Sequence, residues 1–230
     1  MREQLEGVVA RVEAAARRAG RDPADVTLIG ISKTVPAARV AEAISAGLAD
    51  LGENRVQEAA VKIPELAQLA GPAAGRVTWH LVGHLQSNKA RRAVELFSVI
   101  HSIDSLELAE RLGRHATELG RNTRVLIQVD LAEEPTKHGM VPDGLDALAA
   151  GVSALPGLTL CGLMTLPPLF ENPEHSRPYF VGLRTIRDRL AAEGFKLPDL
   201  SMGMSNDFEV AIEEGSTMVR VGRALFGKRG

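Results

Sequence analysis

Eight short apolar runs, each followed by a longer stretch of helical spacing, succeed one another along this chain. Candidate strands fall at 26–31, 48–52, 77–82, 98–103, 124–130, 157–164, 200–203 and 217–222; helical stretches at 36–46, 54–70, 86–96, 105–119, 141–150, 174–192 and 206–215 separate them. Runs such as Val125-Leu126-Ile127-Gln128-Val129 are nearly continuous in apolar character rather than alternating, so both faces of such a strand must be covered. Regular alternation of such strands with helices predicts a parallel sheet clad in helices. In a chain of 230 residues, eight units fit a closed barrel better than an open doubly wound sheet. The expected fold class is therefore α/β: a single (β/α)8 TIM barrel over residues 1–230. An extra N-terminal helix should precede it, with Leu5, Val8, Val9, Val12 and Ala16 as its apolar stripe and Arg17 and Arg18 opposite. No linker-like composition divides the chain, and the Pro167-Pro168 to Glu171-Asn172-Pro173 region reads as one long βα loop of the kind that often carries function.

Composition narrows the function classes. An apolar share of 45% and a charged share of 24% suffice for a sizeable core. A net charge of -2 gives no electrostatic footprint for nucleic acid, and an aromatic share of 3% offers few stacking platforms for single strands. The lone Cys161 excludes an intrachain disulfide, and no apolar run approaches the roughly 20 residues that cross a bilayer. A soluble, cytoplasmic protein with no membrane or nucleic-acid partner is expected.

In a barrel the chemistry sits just after each strand. There the chain offers Lys33, Gly52-Glu53-Asn54, Gly83-His84, Asp104, Asp130, Thr165, Ser201-Met202-Gly203 and Gly222-Arg223. A lysine at a strand mouth is partly desolvated, which favours the neutral amine that forms Schiff bases; on its own it is more simply a solvated loop residue. The loops after strands seven and eight are where barrels often bind phosphate. Gly222 would admit a close backbone approach, Ser201 would add a hydroxyl, and Asn206 or Asp207 would cap the next helix. Arg220 shares a strand face with Met218 and Gly222, pointing either at a ligand or into a buried ion pair with Asp130 or Glu53. Two look-alikes fall away. The Gly222 to Lys228 stretch mimics a nucleotide P-loop but has Arg229 in place of the Ser/Thr, and His80 and His84 lack the glutamate and the helix of a zinc protease motif. No metal site is expected; His80 reads as a hydrogen-bonded core residue, His84 as mouth-facing, and Cys161 as a buried inert thiol. A Schiff-base lysine facing a phosphate cradle suits either a phosphorylated carbonyl substrate, as in an aldolase, or a phosphorylated aldehyde cofactor.

The segments Gly30-Ile31-Ser32-Lys33-Thr34, Gly52-Glu53-Asn54-Arg55-Val56-Gln57-Glu58, Trp79 to Lys89, Ser201-Met202-Gly203-Met204-Ser205 and Val219-Arg220-Val221-Gly222 resemble the pyridoxal-phosphate homeostasis protein family. The likeness spans nearly the whole chain in the family's order. It implies a barrel similar to the N-terminal domain of alanine racemase, holding pyridoxal 5′-phosphate (PLP) as an internal aldimine on Lys33. It also implies storage, transfer or regulation of PLP in vitamin B6 homeostasis, with PLP-dependent apoenzymes as partners and no catalytic residue. By matching positions, Asn54 approaches the cofactor, Ser201, Gly222 and Arg223 bind phosphate largely through backbone amides, and Arg220 faces the pyridine nitrogen. Arg223 departs from the small hydroxyl residue of several relatives, so the side-chain contact to phosphate there is either a guanidinium or lost, while the amide contact survives.

The alternative is an amino-acid racemase-like PLP enzyme with weak activity. Such racemases take an opposed tyrosine from a second domain, for which this length leaves no room, and Tyr179 is the only tyrosine. A Schiff-base aldolase and a cofactor-free partner-binding module rank lower. With an uncovered mouth, a monomer is expected.

Overall fold

Strand periodicity and helix periodicity resolve into one closed ring. The computed structural model describes residues 1–132 and 138–227. Its strands are β1 (Thr27–Ile31), β2 (Asp50–Glu53), β3 (Thr78–Leu81), β4 (Val99–Ile103), β5 (Thr123–Gln128), β6 (Leu158–Met164), β7 (Asp199–Met204) and β8 (Met218–Val221). They form a closed barrel in sequence order, every pairing parallel, and β8 returns to β1 with Thr27 opposite Met218 and Ile29 opposite Arg220. The helices are α1 (Arg2–Arg18), α2 (Ala37–Ser45), α3 (Val56–Leu69), α4 (Ala90–Leu96), α5 (Leu106–Glu118), α6 (Leu145–Ser153), α7 (Arg177–Ala192), α8 (Phe208–Glu213) and the single turn α9 (Arg223–Phe226).

The N-terminal helix closes the outer ring. The helix after β8 is only the four residues of α9, too short to cover a strand. Helix α1 packs on α8, α9 and α2, filling the place of a full eighth helix with Leu5, Val8, Val12, Ala15 and Ala16 buried. Arg11 and Arg18 clip it to α8 through Glu209 and Glu213, each at 2.9 Å, and the Arg11 guanidinium lies 4.6 Å from the Phe208 ring centroid. Val9, read as part of the apolar stripe, is 37% exposed.

Two helices open later than expected, each behind a 3-10 turn. The stretch expected to be helical from 141 opens as a 3-10 turn, Pro142–Gly144, and becomes α6 only at Leu145. The one expected over 86–96 begins likewise with the 3-10 turn Ser87–Lys89. No helix among the described residues is long and apolar enough to cross a membrane.

Most of the core lies between barrel and helices, where Phe97, Phe180 and Phe208 are fully buried. The apolar contacts inside the barrel form two small clusters, one of Ile29, Ile31, Val82 and Met218, the other of Val99, Leu126, Cys161 and Met164. Other inward positions carry His80, His101, Ser201 and Arg220, all buried. This interior is thus unusually polar for a barrel core, which bulky branched residues normally fill.

Candidate functional site

The C-terminal ends of β1, β2, β7 and β8 border a cavity of about 520 Å³. Lys33, Asn54, Arg220, Gly222 and Arg223 all line it, so five of the six residues singled out in the sequence converge on one space. Its walls include Ile31, Val82 and Leu166, giving apolar sides to a polar rim.

Lys33 is half-buried on the turn after β1. The residue after it, Thr34, is the one described non-glycine residue with positive φ, +62°, a costly left-handed conformation. What holds the turn lies behind it. The Thr34 amide donates to Glu58 Oε1 at 2.5 Å, and Lys62 Nζ donates to the Ser32 carbonyl at 2.6 Å, to Glu53 Oε1 at 2.6 Å and to Glu58 Oε1 at 2.9 Å. Ser32 Oγ donates to Glu53 Oε1 at 2.7 Å. Glu53, expected at the mouth, is therefore turned outward, buried between barrel and α3, because strand alternation that sends Asn54 inward sends its neighbour out. Burial lifts the Glu53 carboxyl above its ordinary pKa against the pull of Lys62 and Ser32. Glu58 is partly desolvated too, yet the bonds from Lys62 and the Thr34 amide draw it below the usual value.

Asn54 is set by a close backbone crossing: a Cβ on Gly83 would sit 2.3 Å from the Asn54 carbonyl oxygen, so the β3 loop passes over Asn54 only as glycine.

The hydroxyl at the mouth belongs to Ser205. Its Oγ accepts from the Gly222 amide at 3.1 Å and the Ala224 amide at 3.3 Å, which ties the β7 loop to the β8 turn. Ser201 lies lower, fully buried and absent from the cavity lining, with Oγ 2.8 Å from His101 Nδ1 and 2.5 Å from Arg220 Nη1. Its hydroxyl is thus committed inside the barrel rather than offered to a ligand. Asp207 stands at the N-cap of α8, but its carboxylate turns back to the Met204 amide at 2.7 Å and Ser176 Oγ at 2.9 Å, so the expected cap bond is not made. Asn206 instead donates to the Phe170 carbonyl at 2.9 Å.

Arg220 points into the cavity, and the alternative of an ion pair with Asp130 or Glu53 is not what forms. Glu53 is held by Lys62, and Asp130 Oδ1 accepts from the Ala132 amide at 3.1 Å. Arg220 instead donates to Ser201 and, through Nη2, to the Thr165 carbonyl at 2.8 Å. Burial lowers its pKa to about 10, with Asp207 opposing, so it stays a cation at neutral pH.

The other motifs sort themselves by depth. His80 is a buried core residue, and His84 lies at the surface, stacked on His138 with centroids 3.6 Å apart and planes 10° from parallel, 3.3 Å from Asp104. His84, Asp104 and His138 have donor atoms close together, but two parallel stacked rings cannot both aim an in-plane lone pair at one ion. Cys161 is buried and pushed up to about 12 by desolvation, as suits an inert thiol. Lys228 and Arg229, the end of the P-loop look-alike, lie outside the described residues.

Comparison with known proteins gives one consistent answer. Residues 5–230 match the family model for the N-terminal domain of alanine racemase. A pyridoxal phosphate homeostasis protein of Aquifex aeolicus is 44% identical over 228 residues, covering 99% of this chain and 97% of that protein. The solved structure of PipY from Synechococcus elongatus with PLP bound is 44% identical, covers 95% of this chain and 100% of its own, and superposes with a TM-score of 0.83. An alanine racemase from Clostridium difficile, 18% identical with a TM-score of 0.74, shares the fold over 57% of its length. With full-length identity of this order, the chain belongs to the pyridoxal phosphate homeostasis protein family, on the barrel of the alanine racemase N-terminal domain.

Proposed function

We propose that this chain binds pyridoxal 5′-phosphate through Lys33 and serves vitamin B6 homeostasis as a carrier or buffer of the cofactor, not as an enzyme. The observation that carries this reading is the convergence of Lys33, Arg220 and the Gly222 turn on one cavity of about 520 Å³. That volume lies within the roughly 300–1,000 Å³ of small-molecule sites. The residues fit the group. Gly222 has an ordinary φ of -110°, and a Cβ there would meet Ile31 no closer than 3.5 Å. Neither backbone nor packing demands the glycine, so the space it leaves serves the cavity. PipY, a relative at 44% identity, is described with PLP bound.

When bound, the cofactor supplies an aldehyde for an amine and an electron-withdrawing ring. Lys33 takes the aldehyde, and Asn54 lies alongside. Gly222, by the room it leaves, and Arg223, through its backbone amide, would hold the phosphate beside Ser205, whose hydroxyl ties down the Gly222 and Ala224 amides. Ser201 acts on the site through Arg220, and the Arg220 cation faces the ring nitrogen. A fixed cation opposes protonation of that nitrogen, leaving a weak electron sink, which suits holding a cofactor better than transforming an amino acid. A racemase needs a second acid opposite the lysine. The only tyrosine, Tyr179, lies on α7 about 6.0 Å from the Phe170 ring and is not in the cavity lining. The reading extends to a cytoplasmic monomer, residues 1–230 acting as one unit, that hands PLP to dependent apoenzymes.

The test is a visible absorbance spectrum after loading with PLP: the protein should show a band of lysine-bound cofactor that Lys33→Ala abolishes. A colourless loaded protein, or a band untouched by Lys33→Ala, overturns the reading. Alanine racemisation lost in Lys33→Ala would replace the carrier by an enzyme.

A further inference from the structure

We propose that Asp50, His80 and His101 are positioning residues for the Arg220 guanidinium, joined to it through Ser201 in a one-way hydrogen-bond chain across the barrel. Asp50 Oδ1 lies 3.0 Å from His80 Nε2, His80 Nδ1 lies 2.9 Å from His101 Nε2, and His101 Nδ1 lies 2.8 Å from Ser201 Oγ. Ser201 Oγ then lies 2.5 Å from Arg220 Nη1. Five residues from β2, β3, β4, β7 and β8 thus connect the N-terminal end of the barrel to the cavity.

The order of protons follows from what each group is able to do. A guanidinium only donates, so Ser201 Oγ accepts from Arg220. The serine proton is then left for His101 Nδ1, its other partner. That nitrogen must be bare, so His101 carries its proton on Nε2 and gives it to His80 Nδ1. His80 in turn carries its proton on Nε2 and gives it to Asp50. Each contact receives one proton, and both rings are neutral Nε2–H tautomers. The reverse order would aim two donors at Ser201 and leave the proton of a fully buried hydroxyl without an acceptor among its contacts. Burial, helped by the charges of Arg220 and Arg124 and by His80, holds His101 well below its ordinary pKa, in keeping with a neutral ring.

The chain gives Arg220 two things that its immediate surroundings lack. It fixes one guanidinium nitrogen while the Thr165 carbonyl fixes the other, and it ends on an anion that is only 24% exposed in its side chain. Against the lowering by burial, the field of Asp207 also acts on Arg220. A buried cation with no carboxylate in contact among the described residues is thereby oriented and partly compensated through neutral links.

The consequence for the cofactor rests on the function proposed above, so the experiment has two separate arms. In cofactor-free, full-length protein, nitrogen-15 spectra of the histidine rings should show His80 and His101 as Nε2–H tautomers, and His101 should not titrate between about pH 5 and 8. An Nδ1–H tautomer on either ring, or a titrating His101, overturns the chain whatever the protein binds. In PLP-loaded protein, Asp50→Asn keeps the acceptor oxygen and removes the charge, leaving the Arg220 cation less compensated. The pH midpoint of the visible band should then fall by about half a unit, roughly threefold in acid constant. An unchanged midpoint in a folded, loaded Asp50→Asn protein overturns the electrostatic role. A parent protein without any band instead defeats the cofactor reading, and the tautomers alone then decide the chain.

Discussion

Ser205 and Ser201 divide a role that the sequence assigns to one of them. Of the two, Ser205 is the one whose hydroxyl touches the amides of the Gly222 turn. Losing it should weaken PLP roughly tenfold, the worth of one good hydrogen bond, while pyridoxal, which lacks the phosphate, should bind Ser205→Ala and parent alike. Equal weakening of both ligands would deny the turn its phosphate. Glu53 makes a second residue-scale prediction, with a definite sign. Its carboxyl is raised in the fold by burial, so its contribution is fully present below the unfolded-state value and is lost as pH rises through the folded one. Melting temperature should therefore decline less steeply in Glu53→Gln than in the parent as pH climbs above about 4.3. Parallel curves would show that Lys62 cancels the burial cost in full.

At the scale of elements, the strand order and the helix between successive strands are legible in the sequence, because period-two and period-3.6 patterns write themselves into local spacing. Which face a strand end presents is less so. Strand β7 shifts register against β8 between Ser201 and Met204, and Gly203 within it has a φ of +92°. Alternation breaks there, so counting by twos cannot say which serine reaches the mouth. Helix α1 shows the same limit in another form. Its amphipathic stripe is plain, yet only the fold reveals that it stands in for the missing eighth helix. Val12 is 5% exposed on that stripe, and Val12→Asp should cost at least about 3 kcal/mol by burying an unpaired charge, seen as a lower midpoint in urea. A midpoint within error of the parent would mean that α1 is dispensable to the ring.

For the whole molecule, the barrel closes because eight strands each carry a cover, and closure brings residues together that no local pattern could pair. His101 and Ser201, 100 positions apart, are in hydrogen-bond contact. The site follows the same logic: Lys33 and Gly222 follow the first and last strands, which meet only when the ring is complete. Lys33 and the Gly222 turn are therefore visible as residue types at strand mouths, while the part each would play toward a cofactor comes from the resemblance. Cofactor binding turns on that lysine. Borohydride reduction of the PLP-loaded protein, followed by peptide mass mapping, should leave one pyridoxyl group on the peptide containing Lys33 and none in Lys33→Ala. A group on a different lysine, or none at all, would contradict it.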